Sequence, residues 1–509
     1  MIIRNIISLI FGLILVVSCQ HGGGNYYMEN VSLEEEDYWS SNDEEYNAIV
    51  EHPFRNSLDQ PLSTFSIDVD NAAYTNIRRF IFSGQLPPAN AVRIEEMINY
   101  FDYNYPQPKE EHPFNIITES ADCPWNPGNQ LLQIGLQGKR LKDDEMKPSN
   151  LVFLIDVSGS MEMSNKLPLV KKSLNILLEN LNENDRVALV VYAGAAGLVL
   201  PSTPAHKKTE IYDAINRLEA GGSTAGGEGI HLAYKVAKEN FMPNGNNRVI
   251  LASDGDFNVG ITSEKGLLKL IQEKRESGVF LTVCGFGMGN LKDGRMEAIS
   301  NAGNGNYFYI DDQREAKKVF SQDFRANMYA IAKDVKIQIE FNPKFVSTYR
   351  LIGYENRQLQ NKDFENDKKD AGELGAGHTV TAIYEIVPAN KTHSSGIDLK
   401  YQEKVLKTGN GINELGHIKF RYKPLDNDKS TLITHNIVHQ PKTFEAASRD
   451  FKFSCSVAGF GLLLRNSSFK ENLTYRDLLE FTEPLVNKDK DIELEFLEMI
   501  KKAAQLQDI

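Results

Sequence analysis

The chain has 509 residues, 41% of them hydrophobic and 25% charged, with a formal net charge of −13. That is enough apolar material for several packed cores, and the acidity argues against nucleic acid as a partner, because phosphate binding needs a basic surface. The histidines form no HExxH and the four cysteines (Cys19, Cys123, Cys284 and Cys455) form no CxxC, so the common zinc signatures are absent.

The first residues read as an export signal. Arg4 precedes an apolar run from Ile6 to Val17, too short to span a bilayer, which needs about 20 residues. The run ends Val16-Val17-Ser18-Cys19, which resembles the bacterial lipobox and implies cleavage before Cys19 and lipidation of that cysteine. Residues 1–18 are therefore read as a lipoprotein signal peptide. Residues 19–60 are glycine-rich, then acidic, and lack apolar periodicity, so they are expected to form a disordered acidic tether.

Residues 61–147 form an N-terminal region of helices and strands. Val92, Ile94, Met97, Ile98 and Phe101 follow helical spacing after the Pro87-Pro88 turn. Asp68-x-Asp70 begins like a calcium loop. Ala72, Ala73 and Arg79 stand where that loop needs an oxygen ligand, a glycine and a glutamate, so Asp70 or Asn71 is expected to cap the following helix instead. Residues 112–140 then alternate as two strands around a Pro-Gly turn.

From 148 to 333 short apolar runs alternate with amphipathic helices: "LVFLI", "RVALVVY", "RVILAS", "VFLTVCGFG" and "NYFYI". Leu167, Val170, Leu174, Leu177, Leu178 and Leu181 share one helical face. Continuous apolar strands between such helices predict a parallel sheet covered on both faces, with ligands at the carboxyl ends of its strands. Cys284 and Cys455 read as core residues, and spacing leaves a Cys123–Cys455 bridge open. Residues 334–509 alternate as strands to about 440 and then turn helical. The strand-rich flanks, 112–140 and 334–424, are expected to pair into one β-sandwich with the α/β domain inserted. The fold class is thus α/β: a doubly wound, mostly parallel sheet flanked by a β-sandwich region and a C-terminal helical extension.

The chemistry concentrates in "LVFLIDVSGSM", where a buried strand runs into Asp156, Ser158 and Ser160. Three short oxygen side chains on one tight turn suit a hard cation such as Mg²⁺. The glycine-rich "EAGGSTAGGEGI" offers Thr224, and "VILASDGDFN" is a second buried strand ending in an acid, Asp254. Glu228 and Asp256 lie nearby and are assigned to solvent. This ordered set resembles the metal-ion-dependent adhesion site of von Willebrand factor type A (VWA) domains. The resemblance implies that Ser158, Ser160 and Thr224 ligate Mg²⁺ or Mn²⁺, that Asp156 and Asp254 ligate directly or through water, and that one position stays open for a partner's carboxylate.

Longer stretches, among them "RIEEMINYFDY", "CPWNPGNQLLQIGLQGK", "ASDGDFNVG" and "YRLIGYENR", resemble the bacterial envelope VWA proteins of the YfbK type across roughly residues 60 to 509. The expectation is a lipid-anchored envelope protein, on the outer membrane because Gln20 is not the aspartate tied to inner-membrane retention. Its VWA domain would bind a protein partner. No catalytic base is paired with the site: Ser158 is not in a G-x-S-x-G elbow and His231 belongs to a helix face. The protein is therefore read as a binder and not an enzyme. The alternatives are a scaffold subunit of a larger envelope assembly and a metal-dependent hydrolase.

Overall fold

Two strand patterns in the sequence give two kinds of sheet. The computed structural model describes residues 44–507 apart from 68–69, 110–111, 194, 222–225, 256–263, 290, 370, 390–412 and 428. The expected signal peptide, Cys19, Thr224 and Asp256 lie outside the described residues.

The continuous apolar runs form a six-stranded sheet in the order Tyr307–Ile310, Phe280–Phe286, Asn246–Ser253, Ser149–Asp156, Arg186–Tyr192, Ala196–Pro204. The first five are parallel. The sixth turns back antiparallel, and the sequence pattern misses it. Its Leu198 and Val199 are exposed, and it carries Pro201 and Pro204, which a strand tolerates at a sheet edge. Ser149–Asp156 is buried at every position. Leu151, Phe153 and Ile155 pack toward the helix Leu167–Glu179, while Val152 and Leu154 pack toward Gly226–Glu239 on the other face.

The alternating strands of both flanks build a sandwich. One antiparallel sheet runs Arg55–Asn56, Val346–Ile352, Thr379–Pro388, Gln130–Gly138, Phe114–Asp122. Strands from before and after the inserted domain therefore pair directly, with Leu136 opposite Val380. The second sheet centres on Ala330–Phe341, which pairs with Glu414–Lys423 and, on its other side, with Leu62–Ser66. Phe114 meets Phe420 and Phe341 meets Tyr349 across the core, at 4.3 and 4.1 Å between ring centroids.

The C-terminal helices are not an appendage. Arg449–Leu464 is buried on nearly all sides. It shares one core with the helices Ala72–Phe82 and Ile94–Asn99 and with Asp491–Gln507. At Gly461 a Cβ would stand 2.7 Å from Ile94 Cγ1, so only glycine allows this approach. Cys123 and Cys455 are both free thiols buried in this core.

Two expectations need correction. The end of the acidic tether is ordered. Glu44 is buried against Arg79 at 2.8 Å, Glu45 pairs with Lys292 at 2.6 Å, and Arg55–Asn56 adds a strand to the sandwich. Glu44 and Glu45 have basic partners 35 and 247 residues on, while the acidic run Glu34–Asp37 lies outside the described residues. Asn71, at the N-cap of Ala72–Phe82, makes no side-chain cap bond. Asp70 accepts from the Tyr307 backbone N–H at 2.8 Å and from Arg357 at 3.0 Å, and Glu96 receives the Ala73 N–H at 2.8 Å.

Two buried arginines of the N-terminal region fasten the inserted domain. Arg78 binds Asp311, Glu315 and the C-terminal helix's Glu495. Arg93 binds Glu96 and Asp293. The carboxylates of Asp70, Glu96 and Glu297 converge within 4.8 Å of one another, with Arg93 and Arg357 among them as counter-ions. Burial raises Glu315 to about 7 against the opposing pull of Arg78, with Asp311 adding to the rise. Stability from this group is present below the unfolded value near 4.5 and is lost as pH rises through about 7. In urea unfolding, Glu315→Gln is expected to flatten the decline in stability between pH 5 and pH 7.5 by about 1–3 kcal/mol. An unchanged profile would place the proton elsewhere.

Candidate metal centre

Parallel register places the acids. Asp156 is the last residue of the central strand and pairs with Tyr192, while Ile155 pairs with Ala252 on the other side. That neighbouring strand ends at Ser253 and Asp254 follows it directly, so both carboxylates reach the same edge of the sheet. Asp156 turns the chain on itself: its Oδ1 accepts the Ser158 backbone N–H at 2.9 Å, and the Val157 N–H donates to the Tyr192 carbonyl at 3.0 Å. The turn continues as a short 3-10 helix, Gly159–Glu162, which brings the Ser158 and Ser160 hydroxyls within 3.1 Å. Asp156 Oδ2 accepts from Tyr192 at 3.1 Å and from Ser253 Oγ at 3.5 Å.

Asp156, Ser158 and Asp254 are buried, and Ser160 is exposed, so the cluster opens to solvent on the serine side. Thr224 is not among the described residues. Gly221, just before the undescribed stretch, donates its N–H to the Val157 carbonyl at 2.7 Å. Glu228 and His231 lie on the following helix with exposed side chains.

Sequence reasoning missed Lys166. Its ammonium sits 2.8 Å from Asp254 Oδ2, with both side chains buried. Its stem lies over Gly287, where a Cβ would stand 2.4 Å from Lys166 Cε. A signal was present: Lys166 occupies the N-cap of Leu167–Glu179, where a cation opposes the helix dipole and offers no acceptor. A lysine in so poor a place for the helix has a partner elsewhere.

Burial pushes the Asp156 carboxyl above the usual aspartate value. The hydrogen bonds from Ser158 act the other way, and the neighbouring Asp254 carboxylate adds to the rise. Two buried carboxylates beside two hydroxyls make an all-oxygen donor set, which suits a hard divalent cation and not a soft one. Among the described residues no histidine or cysteine bonds to this set.

A model of the von Willebrand factor type A domain matches residues 150–322. One described as uncharacterized protein YfbK, C-terminal, matches 326–506, and one described as von Willebrand factor matches 40–133. Uncharacterized protein YfbK of Escherichia coli (strain K12) is 40% identical over 473 residues, 91% of this chain and 82% of that protein. The chain belongs to the YfbK family of VWA proteins. Solved structures similar to it include a von Willebrand factor type A protein from Catenulispora acidiphila, with 15% identity, 76% of this chain and 90% of that chain covered, and a TM-score of 0.43. The ArnB paralog VWA2 from Sulfolobus acidocaldarius aligns at 13% identity over 78% of this chain and 98% of its own, with a TM-score of 0.35.

Gly287 has φ +79°, so Gly287→Ala combines backbone strain of about 1–2 kcal/mol with displacement of the Lys166 stem. The urea midpoint of this variant is expected to fall accordingly. A midpoint equal to wild type would mean that Lys166 does not need this seat.

Proposed function

We propose that this YfbK-family protein is a lipid-anchored protein of the bacterial cell envelope, on the outer membrane. Its VWA domain binds a protein partner through Mg²⁺ or Mn²⁺ held by Asp156, Ser158, Ser160, Thr224 and Asp254. The observation that carries this reading is the pair of strand-end carboxylates beside two serine hydroxyls, with the Lys166 ammonium already drawn to one of them. The place attracts a cation by its charge and presents its hydroxyl side to solvent. When bound, the metal would supply an electrophilic contact for an oxygen ligand. A carboxylate from the partner fits that role, and the surrounding surface would give specificity. The reading is of a binder and not an enzyme: among the described residues no histidine bonds to Asp156, Ser158 or Ser160.

Among the described residues no helix is long and apolar enough to cross a membrane, and Cys19 is the proposed attachment. Cys19→Ser is expected to abolish incorporation of a radiolabelled fatty acid and release the protein from the membrane fraction. Continued labelling would remove the anchor from the proposal.

Calorimetric titration with Mg²⁺ is expected to show one site in the wild type and none in Asp156→Ala. Lys166→Met removes the competing ammonium, so its melting temperature should rise further on adding Mg²⁺ than that of the wild type. A pull-down from envelope extract in Mg²⁺ and again in EDTA then tests the partner. Capture that persists in EDTA and with Asp156→Ala would move the binding surface to the flanking sandwich and favour the scaffold reading.

A further inference from the structure

At the opposite edge of the VWA sheet, where the strands begin, lies a cleft of about 750 Å³. It is in the size range of small-molecule sites. Both crossings between the sandwich and the VWA domain line it: Lys139 to Lys147 on the way in, and Met328 to Asp334 on the way out. Arg248, in the strand Asn246–Ser253, forms part of its wall. Asp254 is six positions on from Arg248, about 20 Å along a strand, so this cleft is separate from the metal loops.

Arg248 is only 3% exposed. One of its nitrogens, Nη1, donates to Thr282 Oγ1 at 2.6 Å, its Nε has no partner, and no carboxylate among the described residues pairs with it. A buried guanidinium without a counter-ion is costly. Burial pulls it below the usual arginine value, opposed only by the more distant Glu373 and Tyr329. Six basic residues line the cleft against three acidic ones, in a chain whose net charge is −13. Two of the six are neutralised locally, Lys139 by Glu145 and Lys423 by Asp334. Lys147 and Lys333, like Arg248, have no ion pair among the described residues. Phe280, Tyr329, Ile331 and Leu425 supply apolar wall.

We propose that this cleft binds a small organic anion, a carboxylate or phosphate on an apolar or aromatic body, with Arg248 as its buried counter-ion and Lys147 and Lys333 at its rim. Because both crossings line the cleft, the ligand touches the sandwich and the VWA domain together and ties one to the other.

The test uses benzoate and phenyl phosphate as probes and benzyl alcohol as the neutral control, with EDTA present so that the metal loops play no part. Either anion is expected to raise the melting temperature and to bind in calorimetry, while benzyl alcohol does neither. Arg248→Met should weaken the anion at least tenfold, and Arg248→Lys should restore part of the affinity. Without anion, Arg248→Met should be at least as stable as the wild type, because it removes a buried unpaired charge. Should Arg248→Met fail to fold, the guanidinium is structural and the proposal falls for Arg248. The Lys147→Ala/Lys333→Ala double variant, on the rim, still decides the cleft: weaker anion binding supports it, and unchanged binding overturns it. No response to either anion at about 10 mM, or equal responses in wild type and Arg248→Met, also overturns the proposal.

Discussion

The structure depends on buried charges that need one another. Arg78 and Arg93 lie in the N-terminal region, yet apart from Glu96 their carboxylates come from the segment after the VWA strand Tyr307–Ile310, from the helix Asp293–Ala302 and from the C-terminal helix. Isolated from these partners, each guanidinium would be a charge in a low-dielectric core at a cost of several kcal/mol. Ion pairs of this kind add little net stability over apolar packing, but they permit one arrangement and penalise its neighbours. They explain why a domain inserted through two crossings is held at a fixed position on its sandwich.

The metal loops show the same logic in smaller form. A parallel sheet delivers strand ends to one edge, and two of those ends carry carboxylates. Left alone, Asp156 and Asp254 would repel, and that repulsion adds to the rise that burial imposes on Asp156. Lys166 answers it from the N-cap of the next helix. The residue is thus placed by what the two acids require and not by what its own helix prefers.

Much of this was legible in the sequence, and the limits have physical causes. The five parallel strands and the Asp156, Ser158, Ser160 turn were visible because a buried strand of a covered sheet must be continuously apolar. The pairing of the flanks was inferable because two strands before the insert cannot close a sheet alone. Ala196–Pro204 was invisible because an edge strand need not be apolar or free of proline. Residues 44–60 read as a tether because charge looks like solvation until its partners are known, and Arg79 and Lys292 are remote in sequence. Asp70 read as a helix cap because local spacing is all a sequence shows. Two of its donors, Tyr307 N–H and Arg357, lie 237 and 287 residues away. Lys166 carried a weak local signal, an ill-suited cap, whose meaning depended on Asp254, 88 residues on.

The helix Asp491–Gln507 completes the core that Ala72–Phe82 begins, and this sets an order on biogenesis. The VWA segment holds its own sheet and helices and can fold as soon as it is synthesised. The flanking domain must wait until Asp491–Gln507 has been made, because that helix supplies Phe496, Met499, Ile500 and Ala503 to the core in which Tyr74, Ile77 and Ile81 lie. Loop closure across more than 400 residues makes that step late and slow. The two ends of the flanking domain thus stay apart until Asp491–Gln507 joins them, and that domain is completed in a single late step.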